Sequence, residues 1–360
     1  MVSMSRNVNT ALIYHPKYLN HDTGPSHPEN RYRLEVMMKA IRESGLLGHE
    51  SAIRLLQPVI ANAKEAILRV HPESHIDFVK RISAAGSSAD PDTPASTGTF
   101  EAALLAVEGI LLAGEEVVSA RAKNAYALVR PPGHHANSSL ARGFCFFNNI
   151  AILAEQLHAE KGYDKILILD CDCHHGNGTQ DIFYDKQYVL YISLHQDGRT
   201  LYPGTGFQDE VGERDGEGYK VNIPLPPLTD SESYMRAVKE IAVPIAKQYR
   251  PQIVLVSNGF DGHHLDPISS LQLTAITYGR VIKTAMELAS ELCGGKLVVT
   301  LEGGYSLDAL PRCILSVLSQ MTGINLDVND PQPTPDERVK SYVDRLLIEV
   351  KRIQSNYWDL

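Results

Sequence analysis

The stretch KILILDCDCHHGNG (residues 165–178) joins an apolar run to a row of acids, cysteines and histidines. Lys165 to Leu169 is typical of a strand covered on both faces, because such strands are short and continuously apolar. The polar residues follow where this strand must enter a loop. Loops at the carboxyl ends of strands in an α/β sheet are where ligands bind. The stretch therefore predicts a buried strand that ends in a functional loop.

Side-chain alternation sorts the polar residues of this loop. If the backbone stays extended beyond the strand, period-two alternation puts Asp170, Asp172 and His174 on one side. Cys171 and Cys173 then lie on the other side. A metal ion at this strand end would meet oxygen and nitrogen ligands. Thiolate ligation is the alternative, but structural zinc–thiolate sites usually pair two such elements, and the sequence has no second cluster.

Further strand-like runs alternate with segments of helical spacing along the chain. The remaining strand predictions are Thr10 to Tyr14, Ala125 to Val129, Tyr188 to Leu194, Gln252 to Ser257 and Lys296 to Leu301, with weaker ones at Ile53 to Gln57 and Tyr219 to Ile223. Helical spacing is found at Thr99 to Ala120, Ser231 to Tyr249, Leu271 to Leu292 and Asp336 to Gln354. This alternation predicts an α/β fold in three layers, with a mainly parallel sheet of about eight strands flanked by helices.

No composition shift or linker divides the chain, so we expect a single domain over residues 1–360. The apolar residues of the last helix, about residues 336–354, recur at helical spacing, which predicts that it packs on this domain. Near the other end, Ser26 and Glu29 bracket Pro28 just before the run Arg31 to Ile41. That pattern predicts a capping box at the start of a helix.

Bulk properties exclude several classes of function. The formal net charge of −9 argues against direct nucleic-acid binding and favours cationic partners. Five cysteines, an odd number, suggest a reduced set of thiols rather than a disulfide framework. We see neither a secretory leader nor an apolar run of membrane-spanning length. The chain is therefore expected to be cytoplasmic, with no membrane association.

A second strand end offers another metal ligand. The strand Gln252 to Ser257 runs into the segment NGFDGHHLDP, which carries Asp261. Asp261 could complete a three-ligand site with Asp172 and His174. Three protein ligands leave a fourth position for water, as in catalytic zinc sites. Such a site can hydrolyse an amide, because zinc acidifies water and polarises a carbonyl.

Two further strand ends supply candidate catalytic groups. The strand Ala125 to Val129 runs into RPPGHH, which presents His134 and His135, and imidazoles transfer protons well near neutral pH. An isolated pair of histidines could equally be an inert surface feature. The strand Lys296 to Leu301 runs into a Gly-Gly turn and Tyr305, whose phenol could donate to a developing oxyanion.

In combination these elements resemble the zinc-dependent histone deacetylase family of the arginase/deacetylase superfamily. The matching elements follow the family's order and are Arg130 to His135, Gly143 to Asn149 (GFCFFNN), Asp170 to Gln180, Ser193 to His195, Leu201 to Gly206 (LYPGTG), Phe260 to Pro267 and Leu301 to Tyr305. Asn177 stands where some members have aspartate, which resembles the class II and bacterial or archaeal branches. An amide there should make His135 less basic than a carboxylate partner would.

The resemblance implies roles for these residues. It assigns one zinc ion per chain to Asp172, His174 and Asp261. It makes His135 the general base, and His134, supported by Asp170, an electrostatic or acid partner. Tyr305 would bind the substrate carbonyl and the oxyanion. A potassium site is also implied, with Asp170, Asp172, His174, Ser193 and Leu194 as its ligands.

The family's narrow acyl-lysine tunnel maps onto a further group of residues. Gly143, Phe144 and Tyr202 match its walls, and Asp92 resembles the rim aspartate that accepts substrate backbone amides. Ile268 stands where polyamine-selective relatives have a glutamate, which favours acyl-lysine proteins or peptides over acetylpolyamines.

Several alternatives remain open from sequence. A small acylated amine could be the substrate, and a non-catalytic acyl-lysine binding protein would keep the same pocket. An arginase-type dimetal enzyme would need more bridging carboxylates than these motifs present. Two carboxylates and one imidazole also suit iron or cobalt. The oligomeric state is not indicated by the sequence.

Overall fold

The computed structural model describes residues 8–360, so the first seven residues of the predicted domain lie outside it. One sheet of eight parallel strands runs in the order β2-β1-β3-β8-β7-β4-β5-β6. The strands are β1 (Val8–Ile13), β2 (Ile53–Leu56), β3 (Ala122–Ala127), β4 (Ile166–Asp170), β5 (Val189–Gln196), β6 (Lys220–Leu225), β7 (Ile253–Asn258) and β8 (Leu297–Leu301). The fold class predicted from sequence is confirmed.

Helices flank this sheet in the expected layers. They are α1 (Tyr32–Glu43), α2 (Ala63–Ile67), α3 (Glu73–Ala85), α4 (Thr99–Val118), α5 (Asn149–Lys161), α6 (Asn177–Ile182), α7 (Ser231–Ala237), α8 (Val243–Tyr249), α9 (Ala275–Cys293), α10 (Leu310–Thr322) and α11 (Glu337–Gln354). A π-helical turn, Val238–Ala242, joins α7 to α8, so the segment predicted as one helix is helical throughout. None of the helices in residues 8–360 is both long enough and apolar enough to pass through a bilayer.

The core explains why these strands are so apolar. Every residue of β4, β5, β7 and β8 is buried, as expected for parallel strands covered on both faces. The last helix, α11, buries Val343, Leu346, Leu347 and Val350. It packs mainly against β6 and the π-helical turn.

The predicted capping box is wrong. Helix α1 begins at Tyr32 without a side-chain cap, so Ser26 and Glu29 do not form a capping box. Glu29 is instead fully buried and forms ion pairs with Arg33 and Arg130. Its carboxylate pairs with these arginines because a buried charge is unfavourable unless an opposite charge lies beside it. The strand β4 ends at Asp170, so the condition for side-chain alternation, a strand that continues to His174, is not met.

Turns, not strand alternation, orient the residues after β4. The Asp170 carboxylate accepts the backbone N–H of Asp172 at 3.2 Å. The Asp172 carboxylate accepts the N–H of His174 at 2.8 Å in the same way. Asp and Asn side chains commonly make this two-residue turn. These hydrogen bonds from side chain to backbone therefore set the orientation of Asp170, Asp172 and His174.

Candidate metal centre and active site

The order of the strands brings four loops together. Neighbours β3, β8, β7 and β4 occupy the centre of the sheet, and their carboxyl ends lie along one edge because all four are parallel. The loops that follow carry His134 and His135, Tyr305, Asp261, and Asp172 with His174. The centre of this edge therefore collects the predicted catalytic and metal-ligating residues.

Asp172, His174 and Asp261 form a compact triad. One potential ligand atom from each lies within 4.8 Å of the other two, and all three residues are buried. Within residues 8–360 no other His, Cys, Asp and Glu residues meet this criterion. The sulfurs of Cys171 and Cys173 are not part of the group.

The triad fits a divalent cation. A Cβ atom on Gly303 would lie 2.2 Å from an oxygen of Asp261 and 2.7 Å from one of Asp172. Backbone N–H groups orient both carboxylates: Gly303 donates to Asp172 at 2.8 Å, and Cys173 donates to Asp261 at 2.7 Å. Two buried carboxylates beside one imidazole would repel each other without a cation between them. Oxygen and nitrogen donors of this kind suit zinc and other divalent metals.

His134 is linked to a buried carboxylate. Its Nδ1 lies 3.1 Å from Asp170, which also accepts the Tyr191 hydroxyl at 2.9 Å. Burial disfavours the imidazolium, but the carboxylates of Asp172 and Asp170 raise the pKa of His134 to about 10. His134 and Asp170 are thus in direct contact, as the predicted support of His134 by Asp170 requires.

His135 has a different environment. Its Nδ1 lies 2.8 Å from the side-chain oxygen of Asn177, so this nitrogen carries the hydrogen and Nε2 is left as an acceptor. Burial lowers the pKa of His135 well below its usual value, and His134 and His174 lower it further. The two adjacent imidazoles therefore differ in protonation. His134 holds its proton, whereas Nε2 of His135 has a free lone pair.

A cavity of about 200 Å³ leads to these groups. It is lined by Asp90, Asp92, His135, Gly143, Phe144, His174, Leu201, Tyr202, Ile268 and Tyr305. All five substrate-binding residues proposed from sequence are therefore in its wall. The sequence assigned no role to two further lining residues, Asp90 and Leu201, although Leu201 begins the LYPGTG motif and Asp90 lies two residues before Asp92.

The wall formed by Gly143 and Phe144 is a tight turn. Arg142 and Cys145 pair through both backbone hydrogen bonds at 3.0 Å. The two residues between them have positive φ, +56° for Gly143 and +69° for Phe144. A Cβ on Gly143 would lie 2.6 Å from the His135 ring, so only glycine fits there. Phe144 in a left-handed conformation is uncommon, and such strain often accompanies binding sites.

Two residues outside the Gly-Gly turn, Asp266 and Arg33, fix the position of Tyr305. Its backbone N–H donates to Asp266 at 2.7 Å, and the guanidinium carbon of Arg33 lies 4.9 Å from the ring centre. Arg33 is fully buried and donates to the carbonyl oxygens of Glu302 and Gly304, both at 2.6 Å. The turn that carries Tyr305 is therefore anchored by one arginine and one aspartate.

Sequence reasoning missed this anchor. Glu29 accepts from Arg33 at 2.9 Å and from Arg130 at 2.7 Å, and all three side chains are fully buried. The available signal was the position of Arg33 at the helical spacing of the apolar face of α1. A charged residue on such a face must have a partner elsewhere in the chain.

Three of the proposed potassium ligands, Asp170, Ser193 and Leu194, lie on two paired strands, and the other two, Asp172 and His174, follow in the loop after β4. Asp170 at the end of β4 is paired in register with Ser193 of β5. The Ser193 hydroxyl contacts His195 Nδ1 at 2.8 Å, and the Leu194 carbonyl lies 3.4 Å from the Tyr234 hydroxyl. These groups are close to one another on the sheet, on the side of Asp170 away from the central strands.

Comparison with known proteins agrees with this geometry. Residues 27–321 match the model of the histone deacetylase domain. A probable deacetylase of Archaeoglobus fulgidus is 42% identical over 358 residues, covering 97% of this chain and 98% of the relative. A histone deacetylase-like amidohydrolase of Pseudomonas aeruginosa is 38% identical over 305 residues, covering 84% and 78%.

A solved structure shows the same architecture. The crystal structure of the HDA15 HD domain matches with a TM-score of 0.87 and 34% identity, covering 98% of this chain and 95% of that one. The family model, the relatives and the fold all agree with the resemblance seen in the sequence. The chain belongs to the histone deacetylase family.

Proposed function

We propose that this protein is a zinc-dependent hydrolase that removes acetyl, or similarly short acyl, groups from lysine side chains. The main observation is that one member of each group, His174 of the buried Asp172–His174–Asp261 triad, His135 of the His134–His135 pair, and Tyr305, lines the same cavity. These groups come from four strand ends, with the triad drawn from the ends of β4 and β7. A binding protein would need the cavity but not this set of proton-transfer groups.

Zinc suits the triad because it accepts carboxylate oxygen and imidazole nitrogen and leaves a position open. When bound, it would supply Lewis acidity that polarises the amide carbonyl and makes water a better nucleophile. Asp172, His174 and Asp261 would hold one such ion per chain.

His135 is the proposed general base. Its Nδ1–H is held by Asn177, so Nε2 can accept the proton of the attacking water. His134 keeps its own proton through Asp170 and stabilises the negative charge that develops. The proton is then delivered to the amine nitrogen as the carbon–nitrogen bond breaks, giving a lysine amine and a carboxylic acid, which become an ammonium and a carboxylate at neutral pH by proton transfer.

Tyr305 is the proposed oxyanion donor. Tyr305 lines the cavity, and burial keeps the pKa of its phenol well above the usual value, so the hydroxyl remains a hydrogen-bond donor at neutral pH. Removing one such donor typically lowers kcat by about 100- to 1000-fold.

The cavity walls favour an acyl-lysine substrate. Phe144 and Tyr202 present aromatic surfaces that suit an alkyl chain, and Ile268 adds no charge at the mouth. Asp92 lies at the mouth, where it could accept backbone amides of a protein or peptide. An acetylpolyamine would offer no such amides.

The remaining assignments follow from the same observations. We propose that the whole chain is one domain, because a single sheet holds every strand of the described residues together. Five buried cysteines without disulfides support a reducing, cytoplasmic location. Asp170, Asp172, His174, Ser193 and Leu194 are the proposed potassium ligands.

The test is a comparison of substrates at measured metal content. Purified protein should hydrolyse acetyl-lysine peptides faster than acetylspermidine, and Tyr305→Phe should abolish most of that rate while retaining the metal. Tyr188→Phe, a tyrosine whose hydroxyl bonds to Glu155 outside the cavity, is the matched control. Metal-loaded protein without turnover on any acyl-lysine peptide would contradict the proposal. Faster turnover of acetylspermidine would make it a polyamine deacetylase.

A further inference from the structure

Asp330 lies in the connecting segment, residues 323–336, which joins α10 to α11 without forming a helix or a strand. Its neighbours Asn329 and Pro331 are exposed, yet the side chain of Asp330 is fully buried. Residue 330 also lies beyond residue 321, where the match to the family's domain ends. Because a buried charge is unfavourable unless it is paired, the groups that contact this carboxylate should explain why it is buried.

Three groups from three different elements contact the Asp330 carboxylate. One oxygen lies 2.8 Å from Nε2 of His263 and accepts the backbone N–H of Ala275, the first residue of α9, at 2.6 Å. A guanidinium nitrogen of Arg312, in α10, lies 3.2 Å from the other oxygen. The carboxylate therefore joins the connecting segment to two helices and to the loop that follows β7.

The contact with His263 has a defined direction. Nδ1 of His263 accepts the backbone N–H of Leu265 at 3.1 Å, so Nε2 carries the hydrogen and donates it to Asp330. The side chain of His263 is fully buried, and both of its ring nitrogens are engaged in these bonds. This histidine therefore serves to fix the loop rather than to bind an ion or transfer a proton.

His263 stands in the middle of the turn that carries a metal ligand. Asp261 precedes His263 by two residues, and the backbone N–H of His263 donates to the carbonyl of Phe260 at 3.3 Å. The carbonyl of His263 accepts the N–H of Asp266 at 2.7 Å, and the Asp266 carboxylate holds the backbone of Tyr305. A shift of His263 would therefore displace a metal ligand and the proposed oxyanion donor together.

We propose that Asp330 is a positioning residue for the metal centre, which acts through His263 on the turn carrying Asp261 and Asp266. The connecting segment thus contributes to the site in addition to the four strand-end loops. The inference rests on the proposed function, since it concerns turnover at this centre. Groups that orient metal ligands typically change metal affinity or activity by about 10- to 100-fold when removed, and Asp330 acts at one step further out.

The competing role for Asp330 is stability alone, through the N-terminus of α9. A carboxylate beside Ala275 interacts favourably with that helix end. However, Thr274 and Thr277 already form a capping box there. A role confined to the helix end would change Tm but neither kcat nor metal affinity, so these quantities distinguish the two roles.

The test compares Asp330→Ala with Asp336→Ala, which removes the acid that caps α11 in the same segment. The zinc dissociation constant is measured by chelator competition, and kcat and KM for an acetyl-lysine peptide are measured well below Tm. Asp330→Ala should lower kcat and weaken zinc binding by about 10-fold each. KM should change little, because Phe144 and Tyr202 lie on other loops. Asp336→Ala should change none of these values.

A double-variant cycle tests the route through His263. In a His263→Ala background, Asp330→Ala should lower kcat no further, because the contact is already lost. Additive losses would overturn the inference, and so would an Asp330→Ala variant that has a lower Tm but unchanged kcat and zinc affinity. If Asp330→Ala does not fold, Asp330→Asn takes its place. It keeps an acceptor oxygen without the charge, so kcat and zinc affinity should fall by about 3-fold, and unchanged values would overturn the inference.

The unaltered protein separates this inference from the proposed function. If it neither binds zinc nor hydrolyses any acyl-lysine peptide, the proposed function fails and the inference fails with it. If the unaltered protein does both and Asp330→Ala equals it in kcat and zinc affinity, only the inference is contradicted.

Discussion

Arg142 donates from Nε to the hydroxyl of Tyr202 across 2.9 Å, and its guanidinium carbon lies 5.5 Å from the centre of the same ring. The backbone of Arg142 also closes the turn that presents Phe144. One residue therefore positions two aromatic walls of the cavity. The ring of Tyr202 in turn lies edge-on to that of His135, with centroids 5.0 Å apart.

Arg142→Met should raise KM for an acetyl-lysine peptide by about 2- to 10-fold with a smaller effect on kcat, as the loss of one hydrogen bond of about 0.5–1.5 kcal/mol would predict. The physical reason is that Tyr202 loses its restraint while the proton-transfer groups keep theirs. Steady-state kinetics of Arg142→Met, Tyr202→Phe and the double variant measure this. Additive effects of the two single changes would show that Arg142 does not act through the Tyr202 hydroxyl.

Removal of the proposed metal ion should lower thermal stability. The buried carboxylates of Asp172 and Asp261 repel each other without a cation, and a ligand bound only to the folded state stabilises it by mass action. Chelation should therefore lower Tm of the unaltered protein by several degrees and have little effect on Asp261→Asn. Metal analysis should give one ion per chain.

Metal analysis also distinguishes the two ligand sets that the sequence left open, the carboxylates with one imidazole and the cysteine thiolates. A Cys171→Ala, Cys173→Ala double variant should keep its metal, because neither sulfur lies in the triad. Loss of the ion from this variant would favour thiolate ligation.

Glu108 should contribute strongly to stability although it lies away from the cavity. Its carboxylate, in α4, accepts the backbone N–H groups of Ala61, Asn62 and Ala63 at 2.6, 2.5 and 2.6 Å. Glu108→Ala should lower the free energy of unfolding by about 2–4 kcal/mol, because it leaves these donors without their charged acceptor.

Urea unfolding measures this change, and Glu160→Ala provides a control. Glu160 is a more exposed glutamate that pairs with Arg69, and its loss should cost under about 1 kcal/mol. Equal losses in the two variants would contradict the role given to Glu108.

The stability difference between the unaltered protein and Lys220→Met should depend on pH. Burial lowers the pKa of Lys220 to about 7 in the folded state, against about 10.4 for an unfolded lysine. Between these values the unfolded chain binds more protons, so stability rises with pH by at most about 1.4 kcal/mol per unit. Lys220→Met lacks this contribution.

Unfolding in urea from pH 6.5 to 9.5 measures the difference. The remaining titratable groups near Lys220, namely Asp185, Lys186, Tyr188, Tyr219 and Tyr249, are present in both proteins and cancel. A difference that stays constant over this range would show that Lys220 has the same pKa in the folded and unfolded states.

The sequence by itself determined the sheet and the chemistry of its edge. Apolar runs such as Lys165 to Leu169 are local signals, since burial on both faces of a parallel sheet dictates their composition. The residues after each run could therefore be assigned to strand ends, and strand ends of a parallel sheet share an edge. For that reason Asp172, His174 and Asp261 could be expected together without coordinates.

Only the tertiary structure decided which partners satisfy the buried charges. Arg33 binds a carbonyl 271 residues away, and Glu29 binds Arg130 across 101 residues. Pairs of this kind have no period in the sequence, because they depend on which loops the strand order brings together. The same holds for Arg142 with Tyr202 and for the carbonyl oxygens around Nζ of the buried Lys220, which are main-chain atoms that every residue carries.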